Sequence, residues 1–152
     1  MRGNFSFMES SIDTREWPSD SSEAEAPKPI RLDGLTILLV DDSFDNQLLF
    51  QRVLAGAGAK VEIANNGVEA IAHQAGKAYD LIIMDVRMPI MDGYEATRRI
   101  RASGYTKPII ALTAHATPGE EERCRTAGCS HFELKPIGRQ LLLGVIATAA
   151  KR

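Results

Sequence analysis

From Leu35 to the end of the chain, five short apolar runs alternate with longer amphipathic stretches. No other feature limits the fold so strongly. The runs are TILLV (36–40), KVEIA (60–64), LIIM (81–84), PIIAL (108–112) and HFEL (131–134). The stretches between them carry helix signals. Asn66, Asp92 and Thr117 each precede a glutamate by three positions. That is the spacing of a capping box, in which the first side chain accepts from an orphan backbone N–H. Pro118 then falls at a first helical position, where its missing N–H does no harm. Gly56 and Gly58 are expected to close the first helix and Gly128 the fourth. Strands alternating with helices predict an α/β fold, a five-stranded parallel sheet flanked by five helices.

The runs differ, and the difference predicts strand placement. TILLV, LIIM and PIIAL are continuously apolar, as central strands covered on both faces must be. KVEIA and HFEL interleave polar residues, which suits an edge. A doubly wound order of 2-1-3-4-5 meets both conditions. It places a topological switch point between the first and third runs, where ligands bind at the carboxyl ends of strands.

Composition excludes several classes. With 44% hydrophobic and 25% charged residues and a net charge of −2, nothing points to nucleic acid or an anionic membrane as partner. No apolar run approaches the roughly 20 residues needed to span a bilayer. The N-terminus lacks the apolar core of a signal peptide, so a cytoplasmic protein is expected. Cys124 and Cys129 have no second pair and no His at zinc spacing, and read as plain thiols. Residues 1–33 carry four Lys/Arg against seven Asp/Glu. Their stretch WPSDSSEAEAPKP has no hydrophobic period, so 1–33 is expected to be a disordered extension with 34–152 as the folded domain. Phe5, Phe7 and Trp17 read as stray aromatics within it.

The residues that follow the runs carry the chemistry. Asp41 and Asp42 follow the first, Asp85 the third, Thr113 the fourth, and Lys135 with Pro136 the fifth. A parallel sheet delivers all of them to one rim. Three adjacent carboxylates resist ionisation without a counter-charge. A hard divalent cation such as Mg²⁺ supplies one, and Lys135 and Thr113 could then neutralise an incoming phosphoryl group.

This constellation closely resembles the receiver domain of two-component response regulators. The matching segments are LLVDDS (38–43), LIIMDVRMPIMDGYEA (81–96), IIALTAHA (109–116) and ELKPI (133–137), spread over roughly residues 35–150. Within that family, MDVRMPIMDGYEATRRIR with ALTAHA and KPI is most similar to receivers of hybrid histidine kinases. The resemblance implies a flavodoxin-like fold and a reaction. Asp85 would attack the phosphoryl group of a phosphohistidine, on a histidine kinase or a histidine-phosphotransfer protein, to give an aspartyl phosphate. Asp42 and Asp85 would hold Mg²⁺ with the backbone carbonyl of Arg87, and Asp41 would help directly or through water. Lys135, Thr113 and the Ala114 backbone N–H would take the phosphoryl oxygens. Thr113 would then move and Phe132 turn inward, switching the face of the fourth helix, fifth strand and fifth helix toward an unknown downstream protein. Such a receiver promotes its own phosphorylation and is not otherwise an enzyme. Arg87 and His115 occupy positions that in this family influence dephosphorylation. The isomer of the Lys135–Pro136 bond stays open.

Three other readings fit less well. A haloacid-dehalogenase-type phosphatase needs a second Asp two residues after its nucleophile, and Arg87 stands there. A flavodoxin-like FMN binder needs a Ser/Thr/Gly phosphate loop, and DDSFDNQ (41–47) is acidic. A degenerate receiver would lack some of the five site residues, and all are present. After Lys135 there is room for one helix, 137–150, so the expectation is a stand-alone receiver without DNA-binding or membrane segments.

Overall fold

Three strands buried along all or nearly all of their length form the centre of the sheet: β1 (Thr36–Val40), β3 (Leu81–Asp85) and β4 (Ile109–Thr113). The more exposed β2 (Lys60–Ala64) and β5 (His131–Leu134) are its edges. All pairings are parallel and the order is β2-β1-β3-β4-β5, as their polarity predicts. The helices are α1 (Phe44–Gly56), α2 (Gly67–Gly76), α3 (Gly93–Ala102), α4 (Glu120–Ala127) and α5 (Arg139–Ala150). The computed structural model describes residues 29–115 and 117–151. No helix among them is long and apolar enough to cross a membrane.

Alternate side chains of each strand face opposite sides, so the central runs feed two cores. Ile37, Leu39, Leu81, Ile83, Ile110 and Leu112 pack with Phe50 and Leu54 of α1 and with Leu142, Leu143 and Ile146 of α5. Leu38, Val40, Ile82, Met84 and Ile109 pack on the other side with Ala70 of α2 and with Ala96 and Ile100 of α3. Each such aliphatic side chain contributes about 1.5–3 kcal/mol by leaving water. This double cover makes the strand ends a rigid platform.

Local signals hold with two exceptions. Asn66 and Asp92 cap α2 and α3, accepting from the N–H groups of Glu69 and Glu95. Gly128, at φ 115°, ends α4. α1 stops at Gly56, its cap is Ala57, and Gly58 turns the chain at φ 104°. Thr117, however, is not a cap and Pro118 is not the first residue of a helix. α4 starts at Glu120 after Gly119, whose φ is 85°. The reason is that the Glu120 side chain turns inward and is buried there.

Part of the expected 1–33 extension is placed. Leu32 is 2% exposed, belongs to the α1/α5 core and donates its N–H to the Ala57 carbonyl at 2.7 Å. Packing therefore starts before residue 34. Residues 1–28, with Phe5, Phe7 and Trp17, lie outside the described residues.

Candidate functional site

The carboxyl ends of β1, β3, β4 and β5 bring the expected side chains to one rim. Oxygens of Asp41, Asp42 and Asp85 lie within 4.8 Å of one another. Lys135 Nζ stands 3.3 Å from Asp41 Oδ2 and 3.4 Å from Asp85 Oδ1. Its peptide bond to Pro136 is cis. Thr113 is fully buried, and its Oγ1 accepts from the His115 N–H at 3.1 Å. Ala114 and His115 follow it at the exposed rim.

The carboxylates are not equivalent. Asp41 is buried, and its oxygens accept from the Ser43 N–H at 2.9 Å, Asn46 Nδ2 at 3.4 Å and Lys135. Ser43 in turn caps α1. Gln47, buried beneath, donates to the Asp41 carbonyl and to Asn65 Oδ1, both at 2.7 Å. Asp42 is exposed. Asp85 is 6% exposed and accepts weakly from the Arg87 N–H at 3.4 Å. Three hard oxygen donors against one lysine leave excess negative charge. That donor set fits a small, oxygen-loving divalent cation such as Mg²⁺ and not a soft metal.

Burial pushes the Asp85 carboxyl up to about 6; Lys135 pulls against this and Asp41 adds to it. Between its ordinary 3.8 and about 6, the native protein therefore holds a proton that the unfolded chain has released. Stability from this group falls as pH rises through that window, and the penalty is complete at neutral pH. In chelator at pH 7, Asp85→Asn is expected to stabilise the protein by on the order of 1–2 kcal/mol. Denaturation at successive pH values should show that gain vanish toward pH 4, roughly the unfolded carboxylate value.

The loop after Asp85 is tightly shaped. Gly93 N–H donates to the Val86 carbonyl at 2.8 Å, drawing the start of α3 onto the end of β3. Met91 N–H donates to the Pro89 carbonyl at 2.8 Å, and Ile90 between them has φ 73°. A branched residue in that region is strained, and the flanking contacts must hold it there.

A family comparison decides what such a rim belongs to. Residues 37–147 match the model of the response regulator receiver domain. The chain belongs to the response regulator receiver family. Two-component response regulator 24 of Arabidopsis thaliana is 42% identical over 113 residues, 74% of this chain and 81% of that protein. Sensor histidine kinase RcsC of Salmonella typhimurium is 38% identical over 79% of this receiver, which spans only 13% of the kinase. Among solved structures, the receiver domain of the Pseudomonas aeruginosa sensor histidine kinase PA1611 has magnesium coordinated in its active-site cleft. It is 39% identical to this chain, with a TM-score of 0.73 over 78% of this chain and 99% of that one.

The receiver also has a buried acid that its sequence disguises. Glu120, 2% exposed, accepts from the Tyr94 hydroxyl and from Thr117 Oγ1 at 3.1 Å, and Arg87 Nη2 lies 3.7 Å away. Burial works against its charge, but Tyr94, Thr117, Arg87 and Arg123 together hold the carboxyl below its ordinary range. Glu120 so ties the Asp85 loop to α3 and α4. Glu120→Ala leaves the Tyr94 hydroxyl buried and unpaired. Urea denaturation should show a loss of about 2–4 kcal/mol.

Phe132 is half-buried against Val86, Tyr94, Ala111, Cys124 and Ala127. It borders cavities of about 310 and 480 Å³. There is room beside the ring.

Proposed function

We propose that the receiver accepts a phosphoryl group on Asp85 from the phosphohistidine of a histidine kinase or histidine-phosphotransfer protein and thereby controls a downstream protein. The observation that carries this reading is Lys135 Nζ poised between Asp41 and Asp85, with all three carboxylates gathered within 4.8 Å. A carboxylate oxygen of Asp85 attacks phosphorus, the phosphorus–nitrogen bond breaks, and the imidazole leaves with the bonding pair. Mg²⁺ held by Asp42, Asp85 and the Arg87 carbonyl, with Asp41 alongside, would supply charge neutralisation. Lys135, Thr113 and the Ala114 N–H take the phosphoryl oxygens. Positioning and charge do the work, as in other phosphoryl transfers.

Exposed apolar side chains flank the rim. Phe44 is 73% and Ile90 80% exposed, one after each acidic strand end. They offer a donor protein an apolar landing beside Asp85. On the output side, Thr113 drawn toward the new phosphoryl group vacates space next to β5, and Phe132 moves inward. No membrane contact or DNA contact enters this scheme, and the cytoplasm is its proposed location.

The test is incubation with Mg²⁺ and acetyl phosphate, followed by intact mass. A gain of one phosphoryl group that disappears in chelator supports the reading, and no gain with any donor opposes it. Asp42→Ala, which removes the most exposed ligand, is expected to raise the Mg²⁺ concentration needed for half-maximal labelling at least tenfold, roughly the value of one such contact.

A further inference from the structure

The two cysteines, far from the acidic rim, meet at the end of α4. Gly128, in the left-handed region, lets the chain fold back so that the Cys129 N–H reaches the Cys124 carbonyl at 3.0 Å. The Gly128 N–H reaches the Arg125 carbonyl, also at 3.0 Å. That pair of bonds is a Schellman turn, whose flanking positions ordinarily share an apolar contact. Here both positions are cysteine, and both side chains join one cluster.

The surroundings of Cys129 differ from those of an inert core thiol. The neighbouring Cys124 thiol, with the Thr97 hydroxyl and the Arg101 guanidinium, draws the Cys129 thiol below its ordinary range against the effect of burial. Thr97 Oγ1 is fully buried and has no hydrogen-bond partner among the described residues. Arg101 is fixed over this turn by bonds to the Gly128 carbonyl at 2.9 Å and Ser130 Oγ at 3.3 Å. The charge beside the sulfur is therefore held in place. Low thiol pKa beside a fixed cation, with partial exposure, is the setting of reactive cysteines. Cys129 is half-buried beside a cavity of about 310 Å³ whose lining also includes Ser130 and Phe132, while Cys124 is buried behind it.

We propose that Cys124 and Cys129 are a peroxide-sensitive dithiol that closes to an intramolecular disulfide and locks the end of α4 to the start of β5. The Cys129 thiolate attacks one oxygen of hydrogen peroxide, the O–O bond breaks, and hydroxide leaves, giving a sulfenic acid. The Cys124 sulfur then attacks the Cys129 sulfur, forming S–S and releasing water as the S–O bond breaks. Two thiols lose two electrons and two protons, and peroxide becomes two waters. A disulfide requires Cα atoms about 4.4–6.8 Å apart, and a backbone bond between the same two residues keeps them close. Phe132 lies three residues beyond Cys129 on β5, so the lock acts on the strand that carries the aromatic of the proposed switch. The disulfide itself does not depend on the phosphorylation reading.

The experiment treats the reduced full chain with hydrogen peroxide and follows it by intact mass, thiol alkylation and peptide mapping. A monomer lighter by two hydrogens, with Cys124 linked to Cys129 and full recovery in dithiothreitol, is expected. Cys124→Ser should instead stop at an over-oxidised Cys129, and Cys129→Ser should react at least tenfold more slowly. Amide exchange over His131–Leu134 should be slower in the oxidised wild type than in the reduced. A stable sulfinic acid on wild-type Cys129, a disulfide only between chains, or no reaction before unfolding would overturn the dithiol. A disulfide that leaves the β5 exchange rates unchanged would overturn the lock.

Discussion

Asp85→Asn is expected to take up no phosphoryl group, from acetyl phosphate or from a phosphohistidine protein, with Mg²⁺ in excess. The amide has nearly the shape of the carboxylate but is no nucleophile, so the rate should fall by at least about a thousandfold. Nothing else in the rim needs to move. Lys135 keeps Asp41 at 3.3 Å, and Asp41 keeps Ser43 and Asn46. Removing one of three crowded charges also relieves the folded state, so the inert variant should be more stable than the wild type in chelator. Loss of uptake by a better-folded protein separates lost chemistry from lost structure. Asp41 has both oxygens engaged and Asp42 is exposed, so uptake at the wild-type rate would move the acceptor to Asp42.

The second large effect belongs to a residue with no chemistry of its own. A methyl group on Gly93 would lie 2.4 Å from the Asp85 carbonyl, 2.8 Å from Val86 Cα and 3.0 Å from Met84 Cγ. The first two are backbone atoms at the end of the strand that carries the proposed acceptor. A clash with a flexible side chain would relax, but here either β3 or the start of α3 must retreat. Gly93→Ala is expected to cost about 3 kcal/mol and lower the melting temperature by roughly 10 °C. Because the retreat displaces Asp85 itself, acetyl phosphate labelling should also slow by about 10–100-fold. Gly144 in α5 is the control, with nothing within 4 Å of an added methyl group. Gly144→Ala should be neutral or stabilising by about 0.5–1 kcal/mol, the ordinary helix preference. Thermal melts of the two variants side by side distinguish close approach from a general intolerance of larger residues.

Much of this site is legible in the amino-acid sequence because it follows from the sheet. Continuous apolar runs must be central, and parallel strands present the residues that follow them on one rim. Asp41, Asp42, Asp85, Thr113 and Lys135 could be gathered from the order of the runs alone, and the distances around Lys135 agree. The contacts between elements are harder to foresee. Glu120 carries the spacing of a capping glutamate after Thr117, and that spacing is the same whether the carboxylate turns to its own backbone or into the core. What turns it inward is Tyr94, on another helix, and Arg87, on another loop. Glu69 shows the milder case. Its carboxylate reaches back to the N–H of Asn65, one residue before the cap, because the chain enters α2 directly from β2. Gly93 has the conformation of any helical residue, and only the nearness of β3 makes its missing side chain matter. The meeting of Cys124 and Cys129 depends likewise on a turn that Gly128 permits and spacing alone does not announce.

One measurement tests the proposed phosphoacceptor most directly. The wild type is labelled with acetyl phosphate and Mg²⁺, the acyl phosphate is reduced with borohydride, and the product is mapped by peptide mass spectrometry. The expected result is conversion of Asp85 alone to homoserine, absent in chelator and strongly reduced in Lys135→Ala. Homoserine at Asp41 or Asp42, or a phosphoryl group stable to borohydride on another residue, would contradict it.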